Sequence, residues 1–396
     1  MPNYIVETER KIPVTAECGV LVAGGGIAGI SAALAAARTG AKVILVEKGC
    51  FLGGLATAGL VTIYLPLCDG MGHQVSFGIA EELLRLSIKY GAEDRNCPAW
   101  LEDGTLEEKK QKRFEVQFNP HLFALCAEEL LRQENVTILY DTVLCGAHVA
   151  NSRITAVTIE NKSGRQMISC QSAVDATGDA DLCAMSGEAT AVFQAKNVLA
   201  NWYYFLSRGK LNLKMLGFAE VPGNIKQEFL IDRRFGGLDG FERSEMLQLG
   251  HRHMLEDILA HKKSDPSYVP VTMPNTPQLR MTRRIDGCYT LDDTQNGEHF
   301  TDSIGIISDW RKPGPVYEIP FRCLYGKKIK NLITAGRCIS VTDAMWDISR
   351  VIPACAVTGQ AAGTAAAMSN DFSVLDISAL RKNLTGVQTD ISTVLS

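Results

Sequence analysis

At 396 residues with 46% apolar content, the chain is long enough for two domains, or for one large domain carrying an inserted one, and its core needs no staples. A net charge of -4, from 40 basic and 44 acidic residues, excludes the cationic excess of a nucleic-acid or anionic-membrane binder and points to a small-molecule partner. Twelve cysteines without a CxxC pair fit neither a secreted disulfide framework nor a zinc or iron–sulfur module, so they read as reduced thiols of a cytoplasmic protein with no metal site.

The N-terminus to Glu17 is charged and lacks the apolar run of a signal peptide. Cys18 to Ala37 carries no charge, but it is dominated by Gly and Ala, which drive membrane insertion weakly, so a membrane span is not expected. Within it, the apolar run Val20–Ala23, the turn Gly24-Gly25-Gly26-Ile27-Ala28-Gly29 and the alanine-rich run Ile30–Ala37 read as strand, glycine turn and helix start of a dinucleotide-binding unit. Gly24 takes the sharp turn, Gly26 lets the backbone approach a pyrophosphate, and Gly29 lets helix and strand pack closely. The helix N-terminus, at Ile27 and Ala28, offers free N–H groups to phosphate. Lys42–Glu47 is the next strand, and Glu47, with Lys48 beside it, stands where a ribose diol is held.

Gly53-Gly54-Leu55-Ala56-Thr57-Ala58-Gly59 is a second small-residue loop, placed where an NAD domain would run into another helix. Here the sequence resembles the glutathione-reductase-like superfamily of FAD proteins, which implies FAD rather than NAD, with Gly53, Gly54 and Thr57 along its extended part. The redox cysteine pair of the flavin disulfide reductases is missing, as are a second GxGxxG and a histidine between Gly53 and Leu67 for covalent attachment.

Ile79–Tyr90 and His121–Gln133 have helical spacing, the second started by Asn119-Pro120, and the charged stretch Glu102–Arg113 between them reads as a surface loop. Short strands follow at Val136–Tyr140, Thr142–Val149, Ile154–Glu160 and Gln166–Cys170, with a hairpin turn at Asn161–Gly164. A strand from Ala173 then ends in Ala176-Thr177-Gly178; by the same resemblance such a turn brings the chain back beside the cofactor.

From Phe193 the βα rhythm breaks. The division expected is 1–192 for the first part of the cofactor domain, 193–325 for an inserted α+β substrate domain and 326–396 for the cofactor domain's C-terminal part. Ser244–Lys263 reads as a helix whose His251 and His253 point to different sides, which argues against a shared metal. The basic run Gln278–Gly287 reads either as a site or as a solvated strand edge. Asn331–Arg337 is a strand ending at Gly336, and Pro353 opens a helix, Ala354–Met368, whose small residues allow tight packing or an N-terminus aimed at the cofactor.

Three segments together, GGGIAG through GGLATAG, Arg280–Gly287, and Ala335–Ser340 continued by Arg350–Pro353 to Gly359–Ala365, resemble the FAD-dependent oxidoreductases related to the flavin subunit of heterodisulfide reductase. The likeness covers nearly the whole chain; it implies a Rossmann-like, discontinuous α/β FAD domain, with FAD held noncovalently by both ends of the chain, at Gly336, Arg337, Gly359, Gln360 and Ala361 in the C-terminal part. The subunits' cluster-ligating cysteines have no counterpart here.

The chemistry expected is hydride transfer between a small anionic substrate and the flavin, with Arg284 and Arg350 clamping the anion or stabilising reduced flavin and Asp347 and His73 as proton-transfer candidates. An electron acceptor of unspecified kind is implied, with no nucleic-acid or membrane partner and a homo-oligomer left open. The alternatives are an electron-transfer subunit that holds flavin without its own substrate pocket, and an NAD-dependent dehydrogenase.

Overall fold

A computed structural model describes residues 5–218 and 228–394. Its centre is a sheet whose parallel part is made of β1 (Val14–Ala23), β2 (Val43–Val46), β3 (Thr137–Leu139) and the C-terminal half of a long later strand. The last four residues of β1 and all of β2 are buried, as unbroken apolar runs are when helices cover both faces of a sheet. The helix between them, α1 (Ile27–Arg38), makes the crossover.

An antiparallel hairpin, β4 (Val143–Ala150) and β5 (Arg153–Asn161), leads into β6 (Gly164–Asp175). The strand order is β3-β2-β1-β6-β5-β4. The separate strands expected at Gln166–Cys170 and from Ala173 are thus one element: its first half pairs with β5 through the Asn161–Gly164 turn and its second half runs parallel to β1, with no Gly or Pro after Gly164 to break it. The stretch Glu102–Arg113, expected as a loop, contains a helix at Leu106–Gln111. None of its residues is buried; Thr105 and Glu108 form a capping box that stands in for an apolar face.

In the middle of the chain, β7 (Thr190–Val192), β8 (Asn201–Ser207), β9 (Lys210–Leu216), α2 (Gly240–Ser264), β10 (Val269–Thr272) and β11 (Arg283–Ile285) form a smaller layer. Strands β9-β8-β10 make one sheet and β7 pairs with β11. Tyr203 of β8 packs with Met254 and Ile258 of α2, whereas Trp202 and Tyr204, on the other face, pack with Leu60. Strands β12 (Ser303–Ser308) and β13 (Val316–Pro320) bring Ile304, Ile307, Tyr317 and Ile319 into the main core.

Strand β14 (Leu332–Thr334) completes the parallel sheet beside β6. Helices α3 (Asp343–Ser349) and α4 (Ile352–Met368) follow, meeting at 91°. A Cβ added at Gly363 would lie 2.0 Å from the Ala32 carbonyl oxygen, and one at Gly359 2.4 Å from that of Ala28, so α1 and α4 touch backbone to backbone. This contact accounts for the small residues of both helices. Among the described residues no single helix is long and apolar enough to cross a membrane.

Candidate functional site

The main cavity lies where the chain turns at the carboxyl ends of the parallel strands. Gly24, Gly26, Ile27 and Ala28 follow β1; Glu47 and Lys48 follow β2; Ala176 to Asp179 follow β6; Ala335 and Arg337 follow β14. This is the topological switch point of the sheet, between β1's crossover on one side and β6 on the other, where ligands of open α/β sheets bind.

The two glycine loops are joined, Gly53 N–H donating to the Gly25 carbonyl at 2.8 Å. Glu47 braces them, accepting from Gly25 N–H at 2.7 Å and Gly49 N–H at 2.6 Å. The glycines divide by role. A Cβ at Gly29 would sit 1.8 Å from the Gly24 carbonyl oxygen, whereas one at Gly26 would meet nothing within 4 Å. Gly29 is required by packing, and Gly26 keeps open the ground in front of the helix.

Positive charge gathers around Asp179 in this cavity. Lys48, Arg337 and Arg243 line it, the last from the first turn of α2. Arg243 donates to Asp179 at 3.1 Å, Arg337 lies 3.5 Å from the same carboxylate, and Thr282 donates to it at 2.7 Å. Burial pushes the Asp179 carboxyl up, but Arg337 and Arg243 outweigh it and hold the group below its ordinary range. Arg337 Nε is buried without a hydrogen-bond partner.

The remaining wall includes Val61, Ile63, Leu65, Pro277, Arg280, Arg350, Val351, Ile352 and Cys355. The 91° corner between α3 and α4 sets Arg350 and Val351 here, beside the N-terminus of α4. Arg280 also lines a second cavity, shared with Phe193, Lys196, Asn197, Val198, Gln278, Met281, Asp343 and Asp347. Its guanidinium donates to Gln278 Oε1 at 2.9 Å and lies over the Trp202 ring, 5.5 Å from the centroid. Its Nε has neither accessible surface nor partner. Burial, with Arg350 and Arg337 nearby, pulls the guanidinium down to about 9 from 12.5.

The predicted cofactor residues Gly24, Gly26, Ile27, Ala28, Glu47, Lys48, Gly53, Gly54, Ala176, Thr177, Gly178 and Arg337 all line the main cavity. Gly29, Thr57, Gly336, Gly359, Gln360 and Ala361 do not. Thr57 donates to the Leu52 carbonyl at 2.6 Å, Gly336 packs with a positive φ against Ala28, and Gln360 ties Ile79 N–H (2.8 Å) to the Thr385 carbonyl (2.9 Å). On α4, Gly359 packs against α1 and Gln360 against the segments at Ile79 and Thr385; the N-terminal residues Ile352 and Cys355 of the helix reach the cavity instead.

The four catalytic candidates separate further. Arg350 lines the main cavity, ion-paired with Asp347. Asp347 lines the second cavity but is buried between Arg350 and Arg311, the latter at 3.3 Å, so its carboxylate is occupied as a structural ion pair. Arg284 lines neither cavity: it donates to the Val341 carbonyl, pairs with Asp343 at 3.3 Å and stacks over Trp346, 4.8 Å from the ring. His73 lies outside both cavities too, held by Asp69 at 2.9 Å. In the basic run, Arg283 is likewise engaged, with Asp181 at 2.7 Å, so the run is a pinned strand and not a solvated edge. Sequence reasoning passed over Arg280, Arg243 and Asp179. Arg280 opens the same basic run as Arg284, and only the acids brought in from α3 tell the two apart.

Twelve thiols stand unpaired, and the one at the cavity, Cys355, is pushed up to about 11 by burial. One His/Glu/Asp group among the described residues, His299, Glu318 and Asp390, brings ligand atoms within 4.8 Å of one another, but Glu318 already accepts from His299 and from the N–H groups of Phe300 and Ile391. None of the three lines either cavity.

Residues 19–198 and 228–384 match a family model described as FAD dependent oxidoreductase. Among solved structures the chain is similar to p-nitrophenol 4-monooxygenase from Pseudomonas putida, at 12% identity and a TM-score of 0.49, over 93% of this chain and 81% of that one. A geranylgeranyl bacteriochlorophyll reductase-like protein from Thermoplasma acidophilum follows at 14% identity and a TM-score of 0.46, covering 93% and 83%, and L-proline dehydrogenase from P. horikoshii at 12% and 0.43, covering 89% and 93%. No curated protein matches the sequence.

Proposed function

The chain belongs to the FAD-dependent oxidoreductase family, and from that premise we propose that it transfers a hydride between a small anionic organic substrate and noncovalently held FAD. The residues of the main cavity fit that cofactor. The open ground before Gly26, the N-terminus of α1 behind it and the cations Lys48, Arg243 and Arg337 together suit a diphosphate. The unpartnered Arg337 Nε, on a side chain beside Asp179, is a donor in want of an acceptor. When bound, FAD supplies a two-electron donor and acceptor in its isoalloxazine ring.

The chain's own work is positioning and electrostatics. Gly24 and Gly178, both with positive φ, turn the backbone beside the cofactor, and the first turn of α4 directs its positive end toward the cavity. Arg280 adds positive charge at the wall shared with the second cavity, where a substrate anion and the reacting ring would meet, and Arg350 stands beside it paired with Asp347. The narrower kinship with the flavin subunit of heterodisulfide reductase, the functional division at 192/193 and 325/326, a separate electron acceptor and a cytoplasmic setting belong to the same reading, supported by the three motif segments and by composition.

The observation that carries it is Arg280, a cation without a carboxylate partner where the two cavities meet. The test is anaerobic mixing of the yellow protein with a panel of small organic acids, alcohols and amines while the flavin bands are followed. Bleaching by acids is expected. Bleaching by none of them, with rapid electron exchange toward a redox protein, would establish the electron-transfer subunit instead.

A further inference from the structure

We infer that the second cavity is the substrate chamber, and that it takes an organic acid whose carboxylate seats on Arg280 while an uncharged, apolar body lies against Phe193, Val198 and Met281. The inference rests on the reading of the main cavity as the FAD site and adds the chemical class of the substrate and where it binds.

The charges of the chamber select the class. Its two acids are both neutralised from outside, Asp347 by Arg350 and Arg311 and Asp343 by Arg284. Its neutral polar side chains are spent on the protein. Asn197 donates to the carbonyls of Met281 and Phe235 and accepts from the N–H groups of Arg280 and Met281; Gln278 donates to the Gly59 carbonyl and accepts from Arg280. Arg280 is left with one neutral partner and a buried, unpartnered Nε. A buried cation without an anion is costly, and a guanidinium fork matches a carboxylate in shape and charge. Lys196, the other cation of the wall, is exposed. It is hydrated, and so adds little to selection of a second acid group.

The chamber also answers how such an acid could react. Arg280 belongs to both cavities, so a carboxylate on it holds the adjoining carbon at the boundary with the main cavity. Arg280 is thus a residue that touches substrate, and Arg284, four residues on, is a positioning residue that neutralises Asp343 at the chamber wall.

The experiment titrates FAD-loaded protein with benzoate, and with benzamide and benzylamine as its uncharged and cationic counterparts, by flavin difference spectroscopy. Benzoate is expected to perturb the flavin bands and to bind about 30-fold more tightly than benzamide, with benzylamine weaker still. Arg280→Gln should bring benzoate to the level of benzamide, and Arg280→Lys should restore part of the preference. FAD content and melting temperature are measured for each variant, so that loss of the flavin is told apart from loss of the acid site. Benzoate binding no better than benzamide, or undiminished in Arg280→Gln while FAD is retained, would overturn the inference. Wild-type protein that takes up no FAD would instead overturn the premise about the main cavity.

Discussion

The two cavities meet at one arginine but are built from different materials. The main cavity is made of backbone: glycine turns and helix N-termini at the ends of parallel strands, with the flanking helices touching through Gly359 and Gly363. The substrate chamber is made of side chains from 193–200, 278–281 and 343–347, joined only by folding. Backbone constraints leave fixed spacings in a sequence, because only glycine satisfies them. Side-chain chambers leave none, since the identity of each ion pair depends on a partner far away in the chain.

Glycine substitutions break this contrast most forcefully. Gly363→Val should cost roughly 3 kcal/mol or more, since its branched side chain must displace the Ala32 carbonyl. The check is denaturant unfolding of the cofactor-free protein. Gly26→Val, on open ground, should leave that unfolding curve in place yet weaken FAD binding by about 100-fold or more, seen by quenching of flavin fluorescence. If Gly26→Val unfolded the protein as Gly363→Val does, the division of the glycines into packing and binding roles would fail.

Charge substitutions sharpen it. Arg243→Gln removes a cation that the smaller layer extends into the main cavity, and should weaken FAD binding about 10-fold without altering the chamber. Asp179 is held below its ordinary value of 3.8, so its contribution to stability is complete above that value and is lost as the pH falls through the lowered one. Asp179→Asn should therefore lose stability at neutral pH and show a shallower loss on acidification, measured by thermal unfolding at stepped pH. The smallest effect is expected for Arg284→Gln: about 1 kcal/mol of stability through the Asp343 and Trp346 contacts.

The legibility of the site follows the same line. The Gly24–Gly29 turn and Glu47 could be read from spacing and small-residue demand, the Gly53 loop and the Ala176–Gly178 return with the help of the family resemblance, and they surround one cavity. Gly359, Gln360 and Ala361 lie off the cavity lining: small helical residues serve helix packing and ligand approach alike, and Gly359 is taken up by α1, while Gln360 is spent on Ile79 N–H and the Thr385 carbonyl. Arg280 and Arg284 shared a run of sequence with no local feature to rank them. Asp343, sixty residues away, engages one and leaves the other without an acid.

Paired titrations of FAD-loaded Arg280→Gln and Arg284→Gln with benzoate put the central claim to its most direct test. The flavin difference spectrum should vanish in Arg280→Gln and persist in Arg284→Gln, with an affinity lowered only as far as the carboxylate of Asp343, then left without its partner, repels the anion. A spectrum lost in Arg284→Gln and kept in Arg280→Gln would contradict the assignment of the anion seat.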